Sequence, residues 1–225
     1  MTRPLIVLKI GGASTAAAAL LVAARSVEAG VCVVHGGGPQ ITALMRERAV
    51  EPRFLDGRRI TDEPTLACVE AGLRIVSDEL CGALARRQVP CAAFADGLVI
   101  AQPVAGLGRV GIPLDAVVSP LEDALRDGRV PVVSPLGRSP EGLLLNVNAD
   151  DAAAEIAARL HADELCFVTD VEGVLDGQGA VLAVISVSTP PASASGGMLP
   201  KLAACARALR GGVSAVRIGA TEVTA

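Results

Sequence analysis

The 225-residue sequence has no tryptophan, no tyrosine and only three phenylalanines. Bases stack on aromatic side chains, so this scarcity argues against single-stranded nucleic-acid binding. It also argues against a place in the aromatic belt of a membrane interface. Positive charge is in deficit too. Lys and Arg number 20 against 24 Asp and Glu, a formal charge of −4, whereas a phosphate backbone selects a basic surface. The longest Ala-rich stretch, 16–24, is too short to span a bilayer. No secretory leader is visible, because Lys9 and then glycines break the first apolar run. The expected address is the cytoplasm. The six cysteines (Cys32, Cys68, Cys81, Cys91, Cys166, Cys205) form no CxxC pair and mostly sit in apolar runs, as buried reduced thiols do. With only His35 and His161 to join them, a zinc site is poorly supported, and no metal ligands are assigned.

What is present is apolar and regular. Half of the residues are hydrophobic, enough for one large domain or two lobes, with a composition change near residue 140. Leu5–Ile10 and Val31–Val34 are short buried-strand runs. Between them, Ser14 or Thr15 caps a helix running to Glu28, and Gly30 stops it. Gly36-Gly37-Gly38 follows the second strand, and Pro39 suits the first turn of another helix. This is a βαβ unit with its loops at the strands' C-terminal ends. Leu66, Val69, Leu73, Val76, Leu80 and Leu84 mark a long helix from Thr65 to about Arg87. Cys91–Phe94, Asp96-Gly97 and Leu98–Ala101 read as strand–turn–strand. A short helix over Leu121–Arg126, a strand over Val130–Val133, a helix from Ala149 to Leu160 and a strand over Leu165–Val168 follow. Gly173–Leu175 and Ala180–Ile185 resemble a hairpin, and Thr189–Ser195 is a loop. A helix from Met198 to Leu209 leads to a last strand, Ala215–Ile218. The alternation predicts a three-layer αβα sandwich with a mostly parallel central sheet.

Several residues are set where chemistry is done. Lys9 ends a buried run before Gly11 and Gly12, and a buried ammonium needs an anion; the bland alternative is a lysine snorkelling to water. The triple glycine offers consecutive N–H groups to a carboxylate or phosphate, or is merely a tight turn. Asn146, Asn148 and Asp150 open a helix, where Asp150 is either a dipole-favoured acid or the group that holds two lysines. Asp170 is a strand-end turn residue or a ligand contact. Lys201 stands at a helix start, where the dipole disfavours a cation. Arg59 and Arg109 can clamp a carboxylate, but each on its own reads as a solvated arginine. His35 reads as structural and His161 as exposed.

Taken together, KIGGAS, VVHGGGPQI, FLDGRRITD, GRVGIP, PVVSPLG, LNVNADDAAAEIA, FVTDVEGVLD and GGMLPK resemble the amino-acid kinase family, most closely its acetylglutamate kinase branch, from Leu5 to Ile218. The resemblance implies an N-lobe (1–140) for an acyl amino acid and a C-lobe (141–225) for ATP, with Mg2+. It implies phosphorylation of the γ-carboxylate of N-acetyl-L-glutamate, on the route to arginine. It casts Lys9 and Lys201 as the transition-state lysines and Asp150 as their organiser. Gly37, Gly38, Arg59 and Asn146 would bind the acyl amino acid, Arg59 on one of its two carboxylates. Gly11, Gly12, Asp170, Val171, Glu172, Gly173, Val174, Leu175 and Ser195 would contact the nucleotide.

Three departures qualify the resemblance. No N-terminal helix precedes Leu5, so the expected assembly is a homodimer without arginine feedback. Arg217-Ile218-Gly219 runs almost directly into Ala220-Thr221-Glu222, which puts the sheet edge on the nucleotide side in question. The loop Thr189–Ser195 is poor in charge. The rivals are a kinase for carrier-linked aminoadipate or glutamate, which would need a basic surface for its carrier, and a catalytically silent amino-acid or nucleotide sensor on the same fold.

Overall fold

The first apolar run folds as strand β1 (Leu5–Ile10), and its side chains sort by parity. Ile6, Leu8 and Ile10 join one core cluster, whereas Val7 joins a second on the opposite face. Lys9 has Val7's parity, and this decides which helices it meets. The computed structural model describes residues 3–11, 15–169, 172–194 and 196–225.

After β1 come α1 (Thr15–Arg25), β2 (Gly30–His35), α2 (Gly38–Glu47), a small hairpin of β3 (Phe54–Leu55) and β4 (Arg58–Arg59), and α3 (Glu63–Ala85). Then follow β5 (Cys91–Phe94), β6 (Val99–Pro103), β7 (Val110–Ala116), α4 (Ser119–Arg126), β8 (Val130–Val133), β9 (Leu136–Arg138) and β10 (Leu144–Val147). The last elements are α5 (Ala149–Arg159), β11 (Glu164–Val168), β12 (Val184–Ser186), α6 (Met198–Arg210), β13 (Ala215–Ile218) and β14 (Thr221–Thr224). An eight-stranded sheet runs β12-β14-β13-β11-β1-β2-β8-β5, parallel except between β13 and β14. β6, β7, β9 and β10 close into a separate small barrel.

The helices form the outer layers. α1 and the C-terminal part of α3 cover the face of Ile6, Leu8 and Ile10. α5 and α6 cover the Val7 face through Ile156, Ala157, Leu202 and Ala204. The expected three-layer sandwich is therefore present. No helix among the described residues is long and apolar enough to cross a membrane. All six cysteines are free, and burial pushes the Cys32 and Cys205 thiols up to about 12, which keeps them as inert thiols.

Local signals explain the helix starts. The Asp62 side chain accepts from Thr65 N–H at 3.0 Å at the head of α3, with Pro64 in the first turn. Asn148 does the same for α5, accepting from the N–H groups of Asp150 and Asp151 at 2.8 and 3.3 Å. Three expectations need correction. Helix α1 ends at Arg25, not Glu28. β5 and β6 are not a hairpin: β5 joins the main sheet beside β8, while β6 enters the barrel. Of the 173–185 hairpin only the tip exists, where Leu175 bridges Val181 antiparallel; β12 instead lies parallel to β14. The questioned sheet edge is also closed, because Thr221–Thr224 turns back on β13 as an antiparallel strand. Its TEVT sequence buries Thr221 and Val223 and exposes Glu222 and Thr224, a pattern too short and polar to stand out in the sequence.

Candidate active site

Asp150, in the first turn of α5, gathers both lysines of the sequence. Lys9 Nζ lies 2.8 Å from its Oδ1, and Lys201 Nζ donates to its Oδ2 at 2.9 Å. The three side chains are only 12–13% exposed. Lys9 arrives from the end of β1 and Lys201 from the first turn of α6, which also sets its ammonium 5.0 Å from the centre of the Phe167 ring. Among the chain's 20 basic residues these are the only lysines; all the others are arginines. That signal was in the composition and is stronger than any single loop motif.

The electrostatics of this triad favour an incoming anion. Burial lowers the Lys9 pKa below its ordinary value, with neighbouring Lys201 adding to the effect and Asp150 opposing it. Burial alone would raise the Asp150 pKa, but the two ammonium groups outweigh it and hold the carboxyl below its usual range. One carboxylate thus faces two cations. The cleft they share is also lined by Gly11, Gly36–Gly38, Val168, Gly197 and Met198. Two helix N-termini open on it. Gly37 is the N-cap of α2 and Gly197 that of α6, so neither helix has a side-chain cap. Their first N–H groups carry partial positive charge and are free of side-chain acceptors. Gly11 completes the floor, for a β-carbon there would lie 2.5 Å from Lys9 Nζ and displace it from Asp150. On Gly38 a β-carbon would meet nothing within 4 Å, so the room above this loop is open space within the cleft.

A second pocket adjoins the first across the triple glycine. It is lined by Gly36–Gly38, Phe54, Gly57, Arg58, Arg59, Val110, Pro135 and Asn146–Ala149, among others. Arg59 corrects the reading of it as a solvated arginine. It is 8% exposed, with Nη2 donating to Thr42 Oγ1 at 3.0 Å, Nη1 lying 3.1 Å from Met45 Sδ, and the Phe54 ring 4.6 Å away. These partners are neutral, so its charge is left for a ligand. Asn146 Nδ2 donates to Thr61 Oγ1 at 3.0 Å, and that hydroxyl donates to the Arg59 carbonyl at 2.7 Å. The chain of bonds fixes Asn146 relative to Arg59. Gly108 lets the next segment approach, since a β-carbon there would collide with the Thr61 carbonyl. Arg109 is not part of the pocket lining and pairs with Glu63. His35 is structural, fully buried with Nε2 3.1 Å from Ser134 Oγ, and His161 is exposed.

The expected nucleotide turn divides. Gly12, Asp170, Val171 and Ser195 lie outside the described residues. Glu172–Leu175 dock on the β13–β14 turn. Ala220 N–H donates to Glu172 O at 2.7 Å and Val174 N–H to Thr221 Oγ1 at 2.8 Å, while that same hydroxyl donates to Leu182 O at 2.7 Å. Thr221 therefore pins both arms of the loop. Ser193 donates to the Leu175 carbonyl at 2.7 Å. Sequence reasoning missed Thr221, and with it Arg58 and Asp151, which pair at 2.9 Å beside the second pocket.

Comparison with known proteins agrees with this architecture. The model of the amino acid kinase family matches residues 4–220. The chain is 45% identical over 222 residues to an acetylglutamate kinase of Rubrobacter xylanophilus, covering 93% of this chain and 87% of that one. It is 35% identical over 231 residues to an acetylglutamate kinase of Dinoroseobacter shibae, covering 95% and 80%. Among solved structures, smu.665 of Streptococcus mutans superposes with a TM-score of 0.89 at 30% identity, each chain 99% covered.

Proposed function

The chain belongs to the amino acid kinase family, and on that premise we propose that it transfers the γ-phosphoryl group of ATP to the γ-carboxylate of N-acetyl-L-glutamate, the acetylglutamate kinase reaction of arginine biosynthesis. The observation that carries this is Asp150 holding Lys9 and Lys201 together at the junction of two pockets, one bordered by uncapped helix N-termini and the other holding Arg59 and Asn146.

The chemistry follows from charge. The attacking carboxylate is ionised at neutral pH, so no base is required to activate it. A γ-carboxylate oxygen forms a bond to the γ-phosphorus while the bond to the bridging oxygen of ADP breaks. The obstacle is bringing an anion up to a polyanion. Lys9, Lys201 and the N–H groups of Gly37 and Gly38 would offset the charge spread over the transferring group. Asp150 has both oxygens on lysines and is an organiser, not a base. Arg59 and Asn146 would hold the other end of the acyl amino acid. The N-lobe, 1–140, supplies most of that pocket. The C-lobe, 141–225, would supply the turn Glu172–Leu175 for the nucleotide, with Gly11 beneath the phosphates. The cationic cleft fits a polyphosphate. Magnesium would accompany the ATP phosphates and offset part of their charge. A homodimer and a cytoplasmic location complete the proposal.

The test is ADP release with N-acetyl-L-glutamate, glutamate, N-acetylaspartate and aminoadipate side by side. Turnover with N-acetyl-L-glutamate well above the rest is expected. No turnover with any of them, or a preference for aminoadipate, would move the assignment to a carrier-linked substrate or a silent binder.

A pH dependence follows from Lys9. Its folded pKa is lowered, so as pH rises it loses its proton before an ordinary lysine does, and catalysis needs the proton. kcat/KM, which reports the free enzyme, falls on the alkaline side below the ordinary lysine value of about 10.5. Bound phosphates return charge to the site, so the limb in kcat lies higher. With no tyrosine and just two lysines, few other groups contribute to this limb. Lys9→Arg stays protonated and loses the Lys9 limb at whatever rate it retains. A kcat/KM profile level to pH about 10.5 would contradict the assignment.

A further inference from the structure

His35 closes β2, and the alternation of that strand decides where its ring goes. Val31 and Val33 belong to the core under α1 and α3, whereas Cys32 and Val34 belong to the core under α5 and α6. His35 has the parity of Val31 and Val33. Its ring accordingly borders a small cavity with Ala18 of α1 and with Val76 and Leu80 of α3, on the side of the sheet away from Lys9.

From there it holds the triple glycine. Nδ1 lies 2.9 Å from the Gly36 carbonyl oxygen and Nε2 3.1 Å from Ser134 Oγ. A carbonyl only accepts, so Nδ1 carries the proton, and Nε2 of the neutral ring accepts from the Ser134 hydroxyl. Burial lowers the ring's pKa, against the pull of the Gly36 hydrogen bond, and so keeps it neutral. Ser134 is itself fixed, its N–H donating to Phe94 O and its carbonyl accepting from Leu136 N–H, each at 2.9 Å. Gly36 is thereby tied at both ends, because its own N–H donates to Ile10 O at 2.8 Å. The Gly36–Gly37 peptide bond is trans, which sets its N–H opposite its C=O. The Gly37 N–H therefore points away from His35, and no acceptor among the described residues takes it. Gly37 lines both the lysine cleft and the adjoining pocket. Between two glycines a peptide plane turns over easily, and a turned plane would present a carbonyl where an anion has to sit. We propose that His35 is a positioning residue for phosphoryl transfer: through the Gly36 carbonyl it keeps the Gly37 N–H directed at the reacting anion. This inference rests on the role given above to the Gly37 N–H.

Leucine and asparagine have nearly the same shape, but only asparagine puts a donor near the Nδ1 position. ADP release with N-acetyl-L-glutamate is compared for His35→Leu and His35→Asn, beside the Tm of each. Losing one preorganised donor costs about 10²–10³ in kcat, and one left free to turn costs less. The kcat of His35→Leu is therefore expected to fall about 30-fold, with KM for ATP within about threefold of wild type. His35→Asn is expected to keep kcat within about fivefold, although it melts below His35→Leu because its buried amide lacks a full set of partners. A packing role gives the reverse order, with activity following Tm, and overturns the inference. An equal loss in both variants overturns it too, as does a His35→Leu kcat within about threefold of wild type. The wild-type protein carries a second test that needs neither variant. Ring nitrogen NMR shifts separate the two neutral tautomers, and with two histidines in the sequence His161→Gln leaves one ring to read. The Nδ1–H tautomer is expected. An Nε2–H tautomer would leave the Gly36 carbonyl without its donor and overturn the inference. Wild-type protein inactive on N-acetyl-L-glutamate overturns the substrate reading instead, whereas an active wild type with an unaffected His35→Leu variant overturns this inference alone.

Discussion

Lys201→Ala lowers kcat by about a thousandfold and leaves KM for N-acetyl-L-glutamate within about threefold of wild type. The split follows from where Lys201 stands. Its ammonium is at the phosphoryl cleft, held by Asp150 and the Phe167 ring, and it is absent from the pocket that holds Arg59 and Asn146. It meets charge that develops during transfer more than charge present in the bound acyl amino acid. Removing one preorganised group of this kind typically costs about 10²–10³ in kcat, or roughly 3–4 kcal/mol of barrier. Here the charge is a full ammonium on a side chain only 13% exposed, which argues for the upper end. Steady-state ADP release over a grid of both substrates measures it. An unchanged kcat would take Lys201 out of the reaction, and a loss confined to KM would make it a ground-state anchor.

Asp150→Asn is expected to cost activity and stability together, in a way that ATP reverses only for stability. In the folded protein the carboxylate separates two ammonium groups that would otherwise face each other with little water between them. Breaking a buried pair by removing one partner costs about 3–5 kcal/mol; with side chains still 12–13% exposed, about 2–3 is expected. The unliganded Tm therefore falls. Triphosphate supplies the missing negative charge, so the rise in Tm on adding ATP is larger in the variant than in wild type. The kcat does not recover, because the lysines lose the group that sets their separation. The sign in acid is the same argument. The depressed pKa of Asp150 means its stabilisation is present above the usual carboxylate range and disappears as pH falls through its own lower value. Thermal melts with and without ATP decide it, and an unliganded Tm equal to wild type would show that Asp150 does not bear this load.

The parts of this site that could be read in the sequence are those made by backbone and by rare residues. A triple glycine after an apolar run, an Asn-x-Asn-Ala-Asp helix start and two isolated lysines each break a local rule, and such breaks collect at sites. What escaped has a physical reason. Arg59 sits in a run of charges that reads as surface, and only the packing of α2 and Phe54 around it shows otherwise. Asp151 and Arg58 are 93 residues apart, so their pairing has no local signature. The small barrel escaped because its strands are three to seven residues long and the pairings that close it, β6 with β9 and β7 with β10, join non-consecutive strands. β14 escaped because its alternation covers just four residues.

The order of β12, β14 and β13 across the sheet has a consequence for how the protein matures on the ribosome. Within the sheet β12 pairs with β14 alone, and β14 begins 37 residues after β12 begins, once α6 and β13 are complete. Until Thr221 emerges, both arms of the 172–182 loop also lack their shared hydroxyl. The triad of Lys9, Asp150 and Lys201 can assemble earlier, since all three belong to elements already synthesised by the end of α6. A nascent chain stalled after β13 would thus carry the phosphoryl-handling charges without a settled seat for the nucleotide, and competence to bind ATP would wait for β14.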